Sequence, residues 1–154
     1  MKKVIFIVLF AGLMFSGVKA QDYNTGVGLR GGFATGLTIK HFTSSSTAFE
    51  GIIASRWHGF SLTGLVEFHK PAFDVDRLNW YWGFGAHLGF WNNTDWYDDN
   101  DDYMVIGIDG ILGIEYNFEE APINISIDWK PAFHLVGYSG FGGDEGAVSI
   151  RYIF

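Results

Sequence analysis

Five histidines carry the most versatile side-chain chemistry in this sequence: His41, His58, His69, His87 and His134. No two of them stand at a spacing that sets a pair of metal ligands on one face. Nucleophilic catalysis needs a nucleophile, a base and an acid that orients the base. His134 with Ser126 or Ser139 and a nearby carboxylate is the one set of residue types that could attack an ester. Asp98, Asn100 and Asp102 occupy positions 1, 3 and 5 of a calcium-loop pattern. Tyr103 replaces the glycine that pattern requires and no Glu stands at its last position, which excludes an EF-hand. Weak divalent binding by the oxygens of Asp95 to Asp102 remains open beside the plainer reading of a solvated acidic loop. Asp109, Glu115 and Asp128 could serve as an acid–base pair, but ion-paired filling of a narrow interior accounts for them more simply. No cofactor is expected.

The elements that position these residues are strands. The chain has 154 residues, enough for one domain, with 18% aromatic residues, 21 glycines, 3 prolines and no cysteine. It therefore has neither a disulfide nor a lipobox cysteine. Residues 1–20 read as a secretory leader: Lys2 and Lys3, an apolar run from Val4 to Phe15, then small residues with Val18 and Ala20 placed for cleavage before Gln21. The apolar run is too short to span a bilayer. Without Lys2, Lys3 and Lys19 the remaining chain, 21–154, has seven basic and seventeen acidic residues, a net charge of −10. That balance, with no basic stripe, argues against a nucleic-acid partner.

After Gln21 the dominant pattern is alternation of period two, the mark of strands with two unlike faces. Eight segments follow it: about Gly26 to Phe33, Leu37 to Phe42, Ala48 to Trp57, Phe60 to His69, Trp80 to Trp91, Val105 to Phe118, Ile123 to His134, and a last one ending at Phe154. The fifth is the clearest. Trp80, Trp82, Phe84, Ala86, Leu88 and Phe90 share one parity, and Tyr81, Gly83, Gly85, His87 and Gly89 the other. The motif Lys-Pro-Ala-Phe occurs at 70–73 and again at 130–133, where proline is expected to end a strand and to mark a bulge, respectively.

Every charged residue within these segments falls on the small, polar face. The bases are Arg30, Lys40, Arg56, Lys130 and Arg151, and the acids Glu50, Glu67, Asp109, Glu115 and Asp128, five of each sign. In the third, sixth and seventh segments two charges agree in parity. No apolar run is long enough for a membrane helix, so a membrane location would require a closed barrel. Three features favour a barrel with its polar face inward. That face is rich in glycine, as a narrow lumen requires. Its charges balance, as ions shielded from water must. The aromatics Trp57, Phe60, Phe68, Trp80, Trp82, Phe118, Trp129, Tyr152 and Phe154 gather toward segment ends, as interfacial girdles do. The remaining charge falls in connections, above all Asp95, Asp98, Asp99, Asp101, Asp102, Asp144 and Glu145.

The leader, the alternating strands and the terminal Phe154, with Tyr152 and Ile150 behind it, resemble bacterial outer-membrane proteins. The size is similar to OmpA/OmpX-type eight-stranded barrels. Asp128-Trp129-Lys130-Pro131-Ala132-Phe133 also resembles a run found in a group of small outer-membrane barrel proteins. The resemblance implies that Phe154 is the signal read by the barrel-assembly machinery, and that membrane lipid and lipopolysaccharide are the surroundings. It departs from the family's habit in one respect. Connections at Ala34–Gly36 and His58–Gly59, on the outer side, are very short, and the Lys70–Asn79 connection on the periplasmic side is long.

The expectation is thus an all-β protein: an eight-stranded antiparallel up-and-down transmembrane barrel in the outer membrane, a monomer with a lumen filled by its own side chains and a structural or surface-interaction role. Two alternatives remain at this point, a lipid-A-modifying enzyme and a narrow ion pore. A girdle of Trp57, Phe60, Trp80, Trp82, Phe118, Trp129 and Tyr152 is expected on the outside.

Overall fold

The computed structural model describes residues 23–56, 59–91, 103–137, 140–143 and 145–154. The leader, Trp57, His58, the acidic run Asp95 to Asp102, Ser139 and Asp144 lie outside the described residues. Among the described residues there are ten strand segments: β1 Thr25–Gly32, β2 Thr35–Phe42, β3 Thr47–Arg56, β4 Gly59–Pro71, β5 Leu78–Trp91, β6 Tyr103–Asn117, β7 Ile123–Trp129, β8 Ala132–Val136, β9 Gly140–Gly142 and β10 Gly146–Ile153. All pair antiparallel.

These ten segments form eight barrel strands. β6 pairs with both β7 and β8, so those two are halves of one strand, interrupted at Lys130 and Pro131. β9 and β10 pair with β8 and β7 in turn, and form the last strand. The interruption keeps its backbone partners: Gly110 N donates to Pro131 O at 2.9 Å and Lys130 N to Glu145 O at 2.8 Å. Proline has no N–H to give to a ladder, so the strand is interrupted there, but the expected bulge is absent: the register is unchanged from Leu112 opposite Trp129 to Asp109 opposite Ala132, and the irregularity in this pairing falls at Ile106 and Gly107 instead. Pro71, in the other copy of the motif, is the last residue of β4. The sheet closes where β1 pairs with β10, from Gly26 opposite Ile153 to Gly32 opposite Ala147. Closure leaves no free edge between the first and last strands.

Burial alternates along the strands, and its polarity is the reverse of a water-soluble barrel. Leu29, Ile53, Phe84, Leu112 and Ile127 are exposed, Leu29 by 67%, while Lys40, Glu67 and Arg151 are fully buried. The interior is not wholly polar. Ile52, Leu65 and Ile111 pack with Ala54 and Tyr81 among the charged groups. Glycine makes room for the larger interior side chains. A Cβ at Gly113 would stand 2.5 Å from the Tyr81 ring, and one at Gly107 would stand 2.4 Å from His87.

Both termini of the barrel lie at one end, where Asn24 and Thr25 donate to Phe154 O at 3.1 and 2.9 Å. That end carries the connections at 43–46, 72–77 and 118–122, and the opposite end carries the two-residue connection at 33–34. β2 starts at Thr35, before Leu37, because Thr35 and Gly36 pair with Ser55 and Ala54. In the turn after β4, Phe73 and Asp74 adopt φ values of 53° and 52°, and Arg77 one of 67°. Phe73 and Asp74 are the central residues of a turn closed by Val75 N donating to Ala72 O at 3.1 Å, and Leu78 N donating to Val75 O at 3.3 Å closes a second turn before β5.

Candidate functional site

The lumen holds the chain's chemistry, in three groups stacked between the two ends. The first group lies toward the termini. Lys40 on β2 stands directly opposite Glu50 on β3. Its Nζ lies 2.7 Å from Glu67 Oε2, 3.4 Å from Glu115 Oε2 and 3.9 Å from Glu50 Oε2, and 4.1 Å above the Tyr81 ring. Arg151 on β10 pairs with Glu50, which also accepts from Thr38 Oγ1. Arg151 also donates to Asn124 Oδ1 at 3.0 Å, Ser126 Oγ at 2.8 Å and Thr38 Oγ1 at 3.3 Å. Asn124 in turn donates to Asn117 Oδ1 at 2.7 Å. Tyr23, just before β1, closes the terminal side by donating to Glu115 Oε2 at 3.2 Å. Burial pushes the Tyr23 phenol well above its usual range, with Glu115 adding to the rise, so it stays protonated and remains a donor.

The second group is a single fork. Arg30 donates through Nη1 to Asp128 Oδ2 at 2.7 Å and through Nη2 to Oδ1 at 2.5 Å, and Tyr81 OH donates to Oδ2 at 3.1 Å. Two parallel charge-assisted bonds fix both orientation and distance.

The third group faces the end opposite the termini. Lys130 bridges Asp109 Oδ1 at 3.0 Å and Glu145 Oε2 at 2.6 Å. His87 Nδ1 lies 2.8 Å from Asp109 Oδ2, and its Nε2 lies 3.0 Å from His134 Nδ1. A cavity of about 90 Å³ opens beside Arg30, Arg56, His87, Lys130, His134 and Glu145.

Arg56 differs from the sequence expectation. It is half-buried at the rim and reaches Glu145 Oε1 at 3.9 Å, outside the fully enclosed set. Its β3 position is near the last rung, opposite Gly59, so correct parity puts it on the inner side but not deep in the tube. Among the described residues the enclosed charges are therefore four cations, Arg30, Lys40, Lys130 and Arg151, against five carboxylates, Glu50, Glu67, Asp109, Glu115 and Asp128. His69 and His87 are enclosed with them.

The ester-attacking set does not assemble among the described residues. Ser126 is bound to Arg151 in the first group, and His134 meets His87 in the third. Among the described residues no three His, Asp or Glu side chains converge to hold a metal. Sequence reasoning missed Tyr23, which precedes the first alternating segment and gives no periodic signal. It also missed the inward turn of Glu145, since connection residues carry no parity.

On the outer surface Phe60, Trp80, Trp82, Phe118 and Trp129 are exposed, and Tyr152 is half-buried 6.1 Å from the Phe154 ring. Trp80, Phe118 and Tyr152 stand at the terminal end and Phe60 at the other. Trp129 stands at the β7–β8 interruption, inside the composite strand, where its indole N–H donates to Gly143 O at 2.6 Å. Phe154 N donates to Thr25 O at 2.8 Å, locking the last residue to β1.

No family model matches the chain, and no curated protein does. Among solved structures, the fold is similar to that of the N-terminal β-barrel domain of OprF from Pseudomonas aeruginosa, with a TM-score of 0.69 and 15% identity, covering 87% of this chain and 100% of that one. At that identity the likeness is one of fold: a closed antiparallel barrel of eight strands.

Proposed function

We propose that this chain is an outer-membrane barrel whose lumen is closed by its own side chains, and that it serves as a structural or surface-interacting element of the envelope. The observation that carries this reading is the inverted burial: apolar residues exposed around the wall, and ions fully enclosed within it. In water such a surface would be an aggregation hazard; in lipid it is the stable arrangement. The resemblance of the leader supports export with cleavage after Ala20, and the locked aromatic terminus at Phe154 supports recognition by the barrel-assembly machinery. Membrane lipid and lipopolysaccharide would then be its neighbours, with the barrel acting as a monomer.

The filled lumen favours a plug over a pore. Arg30 to Asp128 and Lys40 to Glu115 are links between non-adjacent strands. Nor does His134 have a serine partner among the described residues that would favour lipid-A modification. Cell fractionation, followed by gel migration of boiled and unboiled samples, tests the proposal. Outer-membrane recovery and a shift on boiling are expected. Recovery in the soluble fraction would overturn it. A change in lipid A mass on gene deletion would favour the enzyme reading instead, and steady currents in planar bilayers the pore.

A further inference from the structure

The three groups of the lumen do not balance alike. Arg30 neutralises Asp128, and at the rim Lys130 and Arg56 face Asp109 and Glu145. The first group sets only Lys40 and Arg151 against Glu50, Glu67 and Glu115. One negative charge is left over where Glu50 is 2% exposed and Glu67 not at all. An uncompensated charge in such a place is strongly disfavoured.

The hydrogen bonding is unbalanced at the same spot. Glu50 and Glu67 are diagonal neighbours on the inner face of adjacent strands, Glu67 opposite Ala48 and Glu50 opposite Leu65, and their Oε2 atoms share the Lys40 ammonium at 3.9 and 2.7 Å. Glu50 Oε2 and Glu67 Oε1 are buried with no donor among the described residues. Two carboxylates cannot bond to each other, because both only accept; a carboxylic acid and a carboxylate can. A single added proton would therefore cancel the surplus charge and supply the missing donor.

We propose that Glu50 and Glu67 share one proton, making the part of the lumen toward the termini a buried proton-binding site. The groups facing it are Thr38 and Lys40 from β2, His69 from β4, Tyr81 from β5, Glu115 from β6, Arg151 from β10, and Tyr23 before β1. His69 is the rival holder. Its Nε2 lies 3.5 Å from Glu115 Oε1 and 3.6 Å from Glu67 Oε2, too far for a charge-assisted bond, and its ring stacks on Tyr81 with centroids 4.9 Å apart. The carboxyl pair is the better-placed acceptor.

The folded barrel then holds a proton that the unfolded chain releases above the ordinary glutamate range, about pH 4.3. Its stability falls as pH rises, by up to about tenfold in the folding equilibrium constant per pH unit while the difference persists. The test is infrared spectroscopy and urea unfolding of the full barrel in lipid vesicles, from pH 5 to pH 9, for the unsubstituted protein, Glu67→Gln and His69→Asn. The expected results are a protonated-carboxyl stretching band at neutral pH in the unsubstituted protein and His69→Asn, lost in Glu67→Gln. Glu67→Gln should flatten the pH dependence and match or exceed the parent at pH 8. Absence of the band from the unsubstituted protein at neutral pH would overturn the proposal, and this needs no variant to fold. So would retention of the pH dependence in Glu67→Gln together with its loss in His69→Asn. A midpoint at pH 8 that tracks sodium concentration rather than pH would place a metal cation there instead, and would also overturn it.

Discussion

Arg30 and Asp128 grip each other through two parallel bonds of 2.7 and 2.5 Å across 98 residues of sequence. β1 and β7 are not neighbours in the sheet; β10 lies between them. The fork therefore reaches past a whole strand inside the tube. Asp128→Asn should cost about 3–5 kcal/mol, because it leaves Arg30 enclosed without a counter-ion. Replacing both residues with well-packed apolar side chains of similar volume should recover most of that loss. Urea unfolding of the two single variants and the double variant in vesicles measures the cycle.

The wall gives the opposite prediction. Ile108 and Leu112 point outward on β6 and are about half exposed. Ile108→Arg or Leu112→Arg should cost roughly 2–4 kcal/mol if that face meets hydrocarbon. Loss of the boiling-dependent gel shift, or a lower urea midpoint, would report it.

Two arginines of equal parity should behave differently. Arg151 is fully enclosed and holds Glu50, Asn124 and Ser126, whereas Arg56 sits at the solvent-facing rim. Arg151→Gln should be strongly destabilising, by about 3–5 kcal/mol. Arg56→Gln should cost no more than about 1 kcal/mol, since water screens its ion pair. Side-by-side unfolding curves decide the point.

The turn after β4 stores backbone strain. Asp74 holds φ at 52° beside Phe73 at 53°, a region that costs an ordinary residue about 1–2 kcal/mol. Asp74→Gly should raise stability by about 1 kcal/mol, with glycine's greater unfolded-state entropy reducing the gain. A higher urea midpoint with unchanged slope is the expected reading.

Parity made much of this fold legible. Glu50, Asp109, Glu115, Asp128 and Arg151 sit on the inner side because a strand's side chains alternate, and each charge fixed its strand's register. Height along the tube was not legible. Arg56 and Arg151 share a face, yet the first lies at the rim, since alternation carries no information about depth. Pairing between groups was equally hidden. That Lys40 would meet Glu67 and Glu115 depends on how far each strand is staggered around the barrel, which the sequence pattern does not encode. Strand ends at Thr35 and Leu78 were missed because their pairing rests on backbone bonds rather than apolar side chains.

The apolar wall is expected to face lipid. Trp80, Trp82 and Trp129 are exposed on that wall and can report their own surroundings. The direct measurement is tryptophan fluorescence of the refolded chain in vesicles whose acyl chains carry bromine, a contact quencher. Strong quenching relative to unbrominated vesicles is expected. Unquenched emission from a protein that stays in aqueous solution without detergent would contradict the account.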